Sequence, residues 1–75
     1  MTGEELYWQF VEVGRNAKPG SEEWGYCQIL MTAWVVVGPD QLFAAIETAQ
    51  RTGKRIGLIE PPKGVYGEPN GIELV

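Results

Sequence analysis

The hydrophobic pattern of the chain begins with an amphipathic stretch over residues 3–15. Thr2 and Glu5 precede its apolar residues at the spacing of a capping box, in which a threonine oxygen and a glutamate carboxylate accept backbone N–H groups at a helix start. At about 100° per residue, five apolar side chains share one helical face. They are Leu6, Tyr7, Phe10, Val11 and Val13. The pattern therefore predicts a helix that packs this face on the core.

A second apolar run, without a charged residue, occupies positions 27–37. It is too short to cross a bilayer, which takes about 20 residues, so we expect it at the centre of the core. Trp34 and the three valines after it are aromatic or β-branched and stop at Gly38-Pro39. This composition is typical of a strand that ends in a turn. We therefore predict a strand over residues 26–37.

A helix is the alternative for the same run, because an unbroken apolar stretch fits both structures by periodicity. Ser21 followed by Glu22 and Glu23 is typical of a helix start, with an N-cap and carboxylates near the positive end of the helix dipole. This alternative predicts a helix over residues 22–33. Gly25 argues against it, because glycine has low helix propensity.

A further amphipathic helix is predicted after Gly38. Pro39 suits the first helical position and Asp40 suits the positive end of the dipole. Its apolar face consists of Leu42, Ala45, Ile46 and Ala49, with Phe43 at the flank. Gly53 is expected to be the left-handed C-cap that ends this helix.

The remaining chain predicts short extended segments. Residues 55–60 have strand composition, and two prolines stop them. Residues 64–66 and 72–75 are extended pieces around a turn-rich segment at 67–71. The predicted fold is α+β, a single small domain over residues 1–75 in helix-strand-helix-strand-strand order. Two amphipathic helices pack on a sheet of about three to four strands.

The residues that usually carry catalysis are scarce. The chain has no histidine, the commonest general base and metal ligand. Cys27, the single cysteine, lies in the most apolar stretch, and a thiol there lacks an activating neighbour. Solvation and helix dipoles account for the carboxylate pairs Glu4-Glu5 and Glu22-Glu23. We therefore predict that the protein is not an enzyme and uses no cofactor and no metal.

A basic cluster follows the last predicted helix and consists of Arg51, Lys54 and Arg55. Such a cluster could hold a phosphate, but cations at a helix C-terminus are ordinarily explained by the dipole. The glycines at 64, 67 and 71 form no phosphate-binding motif, because no lysine follows in the required pattern.

The net charge of −4 concentrates at the two ends of the chain. This balance makes direct nucleic-acid binding improbable, since affinity for phosphates comes from lysine and arginine. It favours attraction to basic protein surfaces. The N-terminus, Met-Thr-Gly-Glu-Glu, does not resemble a signal peptide. We expect a cytoplasmic protein with no membrane partner.

Trp8 is the candidate binding residue, because it falls on the charged side of its own helix. One interpretation is that it packs on the loop after the helix. The other is an exposed aromatic anchor for a partner, since tryptophan is over-represented in interface hot spots. The predicted partner-binding residues are Glu4, Glu5, Trp8 and Glu12.

The sequence thus predicts a non-catalytic acidic protein-interaction domain. It would bind, and inhibit or assemble with, a larger protein whose basic surface could itself bind nucleic acid; a homo-oligomer is compatible with this class. One alternative is a winged-helix-like nucleic-acid-binding module, which requires the helix at 22–33 so that three helices precede a hairpin. Another is an accessory subunit of an enzyme.

Overall fold

The computed structural model describes residues 1–60 and 70–75. Three helices come first and two strands follow. The elements are α1 (Gly3–Arg15), α2 (Glu22–Val37), α3 (Pro39–Thr52), β1 (Ile56–Ile59) and β2 (Gly71–Leu74). The predicted α+β class is confirmed, but the order of elements is helix-helix-helix-strand-strand.

The start of α1 is the capping box that the sequence predicts. The Glu5 N–H donates to Thr2 Oγ1 at 3.1 Å, and the Thr2 N–H donates to Glu5 Oε1 at 3.1 Å. The helix buries Leu6, Tyr7 and Val11. Val13 is an exception to the predicted face, because it is 55% exposed.

The predicted strand over residues 26–37 is wrong, because this run lies in α2. Ser21 caps the helix by accepting a hydrogen bond from the Trp24 N–H at 3.3 Å. The buried residues Cys27, Leu30 and Ala33 recur every third position, so they lie along one side of a helix. Burial against α1 and the sheet outweighs the β propensity of the valines, which is weak and depends on context. The alternative helix over 22–33 is correct, and it continues to Val37.

The third helix agrees with its prediction. Pro39 occupies its first turn, and Leu42, Ile46 and Ala49 are buried. Gly53 has a φ of 70° and donates its N–H to the Ala49 carbonyl, which is the left-handed cap expected after the last turn.

The sheet has fewer strands than predicted. Within residues 1–60 and 70–75 it consists of β1 and β2, which pair antiparallel with Ile56 opposite Leu74 and Leu58 opposite Ile72. The predicted extended piece at 64–66 lies outside the described residues. The largest fully buried side chains come from α2, α3 and β1. They are Leu30, Leu42, Ile46, Ile56 and Cys27.

Two glycines set how closely the helices approach one another. A Cβ built on Gly14 of α1 would collide with Cys27 Cβ and lie 2.7 Å from the Glu23 carbonyl oxygen on α2. A Cβ on Gly3 would collide with the Phe43 carbonyl group on α3. Since real Cβ atoms do not come this close to backbone atoms, α1 can pack at these distances only with glycine at both positions.

Candidate functional site

The four predicted binding residues all lie on α1 and are exposed to solvent. Glu4, Trp8 and Glu12 follow one another at intervals of four residues, and side chains at this spacing share one side of a helix. Glu5 lies at the edge of the same side. We call Glu4, Glu5, Trp8 and Glu12 the α1 surface.

The indole of Trp8 is 53% exposed, and its inner side packs on other aromatic rings. It makes an edge contact with Tyr7, with ring centroids 5.0 Å apart, and lies 5.9 Å from the ring of Trp34 on α2. Trp8 therefore packs on another helix and not on the loop after α1. One face of the indole is fixed while the rest remains accessible.

The support for Trp8 extends into the core through Tyr7. The Tyr7 ring lies 5.0 Å from Trp34 and 5.8 Å from Phe43 of α3, and these two rings are 5.5 Å apart. Burial raises the pKa of the Tyr7 phenol above its ordinary value. Each helix thus contributes a ring to the cluster beneath Trp8, and this cluster fixes where the indole lies.

A shallow depression of about 480 Å³ adjoins the indole. It is lined by Trp8, Gln9, Glu12 and Val13. The sequence missed Gln9 and Val13 as surface residues beside Trp8. Val13 belongs to the apolar pattern of α1, but α2 approaches α1 at Gly14, which leaves Val13 outside the contact.

Local hydrogen bonds restrain two of the three carboxylates. Glu5 belongs to the capping box, and the hydrogen bonds from Thr2, first that of its backbone N–H, lower the pKa of this carboxyl below its ordinary value. Glu12 lies 3.6 Å from the Arg15 guanidinium and accepts a hydrogen bond from the Asn16 amide at 3.2 Å. Three carboxylates and one guanidinium give this side of α1 a net negative charge.

A second depression, of about 320 Å³, also has Val13 in its lining. Its lining residues carry both charges and are Phe10, Val13, Glu22, Glu23, Tyr26, Gln50, Lys54 and Arg55. The Arg55 guanidinium pairs with Glu22 and lies 4.4 Å from the Tyr26 ring centroid. Arg55 therefore links the start of β1 to α2. The sequence pattern explains this charge by the helix dipole alone and does not predict the contact.

The thiol of Cys27 is buried and donates a hydrogen bond to the Val11 carbonyl at 3.6 Å. Among residues 1–60 and 70–75, no group of three histidine, cysteine, aspartate or glutamate side chains is placed to bind a metal ion. In the same part of the chain, no helix has the length and apolar character needed to cross a membrane.

Comparison of the chain with models of protein families, with curated proteins and with solved structures found no match. The evidence for a function therefore comes from the surfaces of the protein. Of these, the α1 surface combines an accessible aromatic ring with charge of one sign.

Proposed function

We propose that this protein is a non-catalytic acidic interaction protein that binds a larger partner through the α1 surface. The observation that carries the proposal is the half-exposed indole of Trp8, held against Trp34 and flanked by three carboxylates. The partner presents a basic surface with an apolar recess for the indole. Binding of this kind covers the partner's basic surface, and so inhibits it or assembles with it.

The indole and the carboxylates have different roles in this proposal. A supported tryptophan loses little conformational freedom on binding and offers a large apolar area, so it supplies most of the affinity. Exposed carboxylates contribute mainly by attracting a basic surface over distance, which raises the association rate and falls with added salt. The chemistry of the chain supports a non-catalytic role, because it contains no histidine and its thiol is buried.

The proposal is tested by affinity capture from a lysate of the native cell, with protein and nucleic acid both measured in the eluate. We expect the wild-type protein to retain a protein partner that Trp8→Ala loses. Trp24→Ala is the matched control, because Trp24 is also partly exposed but lies on α2. Equal retention by all three proteins would show that the α1 surface is not the binding site.

A second pair of variants tests whether capture depends on the carboxylates of the α1 surface or on the net charge of the whole protein. Changing Glu4, Glu5 and Glu12 together to glutamine should weaken capture at low salt. The comparison protein carries glutamine at Glu23, Glu60 and Glu73, which are exposed and lie outside α1. Both variants lose the same charge, so equal weakening would indicate a net-charge effect and contradict a local site.

The winged-helix-like module is a second candidate, supported by three helices that precede an antiparallel strand pair. Two observations make it weaker. A single residue, Gly38, separates α2 from α3, whereas a helix-turn-helix has a turn of about three to four residues. The exposed charges of α3 are Asp40, Glu47 and Arg51, so this helix is a poor ligand for phosphates.

Fluorescence anisotropy with labelled duplex DNA distinguishes the two candidates. We expect no binding at moderate salt. Binding that persists there and is weakened by Arg51→Ala would favour the nucleic-acid module over the protein-interaction proposal.

A further inference from the structure

The two asparagines of the chain, Asn16 and Asn70, are both exposed but differ in their contacts and in the residue that follows. The Asn16 side-chain amide donates to the Glu12 carbonyl at 2.8 Å and to the Glu12 carboxylate at 3.2 Å. The next residue, Ala17, donates its N–H to the Gly14 carbonyl at 3.1 Å. The side-chain amide and the following backbone nitrogen are therefore both held in hydrogen bonds at Asn16.

Asn70 lies directly before β2 and is followed by Gly71. Its backbone N–H donates to the Ile59 carbonyl at 2.9 Å, so the main chain here is held against the end of β1, while the residue is exposed to water. Because glycine has no Cβ, its backbone nitrogen is the least hindered one that can follow an asparagine. This nitrogen and Cγ of Asn70 can close a succinimide ring.

We propose that Asn70 is a site of spontaneous deamidation, with water as the second reactant. The Gly71 nitrogen attacks Cγ of Asn70 and forms a new C–N bond, and the side-chain nitrogen leaves as ammonia with the proton of the Gly71 N–H. Water then opens the succinimide. Opening at Cγ gives aspartate, and opening at the main-chain carbonyl gives isoaspartate. No electrons are transferred to or from another molecule, and the proposal does not depend on the function assigned to the α1 surface.

The reaction changes one end of the sheet. The strands pair with Ile59 opposite Gly71 at this end and Ile56 opposite Leu74 at the other. Both products add a negative charge to a chain of net charge −4. Isoaspartate also adds one carbon atom to the main chain between the Asn70 N–H, which binds Ile59, and Gly71, which pairs with the same residue. A two-stranded pair has little stability of its own, so the longer main chain opens this end.

The fold does not require glycine at position 71. The φ of Gly71 is not positive, and a Cβ built there would make an ordinary van der Waals contact with Ile59 Cδ1 at 3.7 Å. Gly71→Ala should therefore keep the strand pairing, while the new methyl group hinders the attacking nitrogen. This variant separates the reaction from the stability of the sheet.

Incubation of the full chain in mildly alkaline buffer, followed by peptide mapping, tests the proposal. We expect Asn70 to convert to a mixture of aspartate and isoaspartate, with isoaspartate detected by an isoaspartyl methyltransferase. Asn16 is the internal control and should keep its amide over the same period. Gly71→Ala should slow the conversion of Asn70 at least about tenfold, which corresponds to about 1.4 kcal/mol in activation free energy.

Three results would overturn the proposal. The first is an Asn70 that keeps its amide or converts no faster than Asn16. The second is aspartate without isoaspartate, which would indicate direct hydrolysis by water. The third is an equal rate in wild type and Gly71→Ala, which would exclude attack by the Gly71 nitrogen. The comparison of Asn70 with Asn16 is made within the wild-type protein, so it does not depend on the folding of the variant.

Discussion

The Ile56 N–H donates a hydrogen bond to the Tyr26 hydroxyl at 3.0 Å, which joins the first residue of β1 to the second turn of α2. The same Tyr26 ring lies under the Arg55 guanidinium and contacts Phe10 of α1, with centroids 5.4 Å apart. A single side chain of α2 thus connects the sheet to two helices. A two-stranded pair has little stability of its own, so this contact and the burial of Ile56 in the core together hold the sheet on the helices.

Removing the Tyr26 hydroxyl should weaken the attachment of the first residue of β1 to α2. We expect Tyr26→Phe to lower the free energy of unfolding by about 1 kcal/mol, the usual contribution of one hydrogen bond. Amide hydrogen exchange localises the effect, since the Ile56 amide should lose protection. The Arg55 amide, which donates to the Val75 carbonyl at 2.9 Å, is the internal control. Equal loss at both amides would mean that the whole sheet has loosened.

Gly14→Ala should destabilise the protein by about 1–3 kcal/mol, the usual cost of overpacking. The added methyl group would collide with Cys27 of α2. Gly25→Ala is the matched control, because a Cβ there meets nothing within 4 Å and alanine favours the helix by up to about 1 kcal/mol. Urea unfolding should shift the midpoints in opposite directions. Coincident midpoints would show that α1 and α2 are not in close contact at Gly14.

Ile46→Ala should cost about 2–5 kcal/mol of stability, whereas Ala44→Ser should cost little. Ile46 is buried in the core and Ala44 is exposed on the same helix. Thermal and urea unfolding of both variants provide the comparison. Equal unfolding midpoints for the two variants would mean that α3 does not bury Ile46 in preference to Ala44.

Acid should weaken the start of α1. The pKa of the Glu5 carboxyl is lower in the folded protein than its ordinary value near 4.5, so its contribution to stability is complete above that pH and is lost as the pH falls through the folded pKa. The difference in unfolding midpoint between wild type and Glu5→Gln should therefore shrink between pH 7 and pH 3. Glu4→Gln is the control, since it removes a neighbouring carboxylate and keeps the capping box. An unchanged difference across this range would contradict the role of the ionised carboxylate.

The sequence predicts α1 and α3 because their signals are local. A capping box starts one helix, while Pro39 and Gly53 bound the other. The run at 27–37 is apolar without a helical period, and its valines favour a strand. The helix is stabilised by the burial of Cys27, Leu30 and Ala33 against other parts of the fold. These contacts are non-local, so the sequence pattern does not show that they outweigh the β propensity of the valines.

The candidate site was predictable only in part. The outward direction of Trp8 follows from the helical period, but its contact with Trp34 depends on how α1 and α2 pack, which the sequence pattern does not predict. The roles of Tyr26 and Arg55 are equally non-local, because 29 positions of chain separate them along the sequence. Spacing alone carries no signal for such contacts.

The association and dissociation rates of this protein and its captured partner, measured at low and at moderate salt, are the decisive test of binding through the α1 surface. We expect Trp8→Ala to accelerate dissociation with little effect on association, because the indole acts only in the formed complex. Glutamine at Glu4, Glu5 and Glu12 should slow association and remove most of its salt dependence. Wild-type association and dissociation rates in both variants would contradict an interaction through the α1 surface.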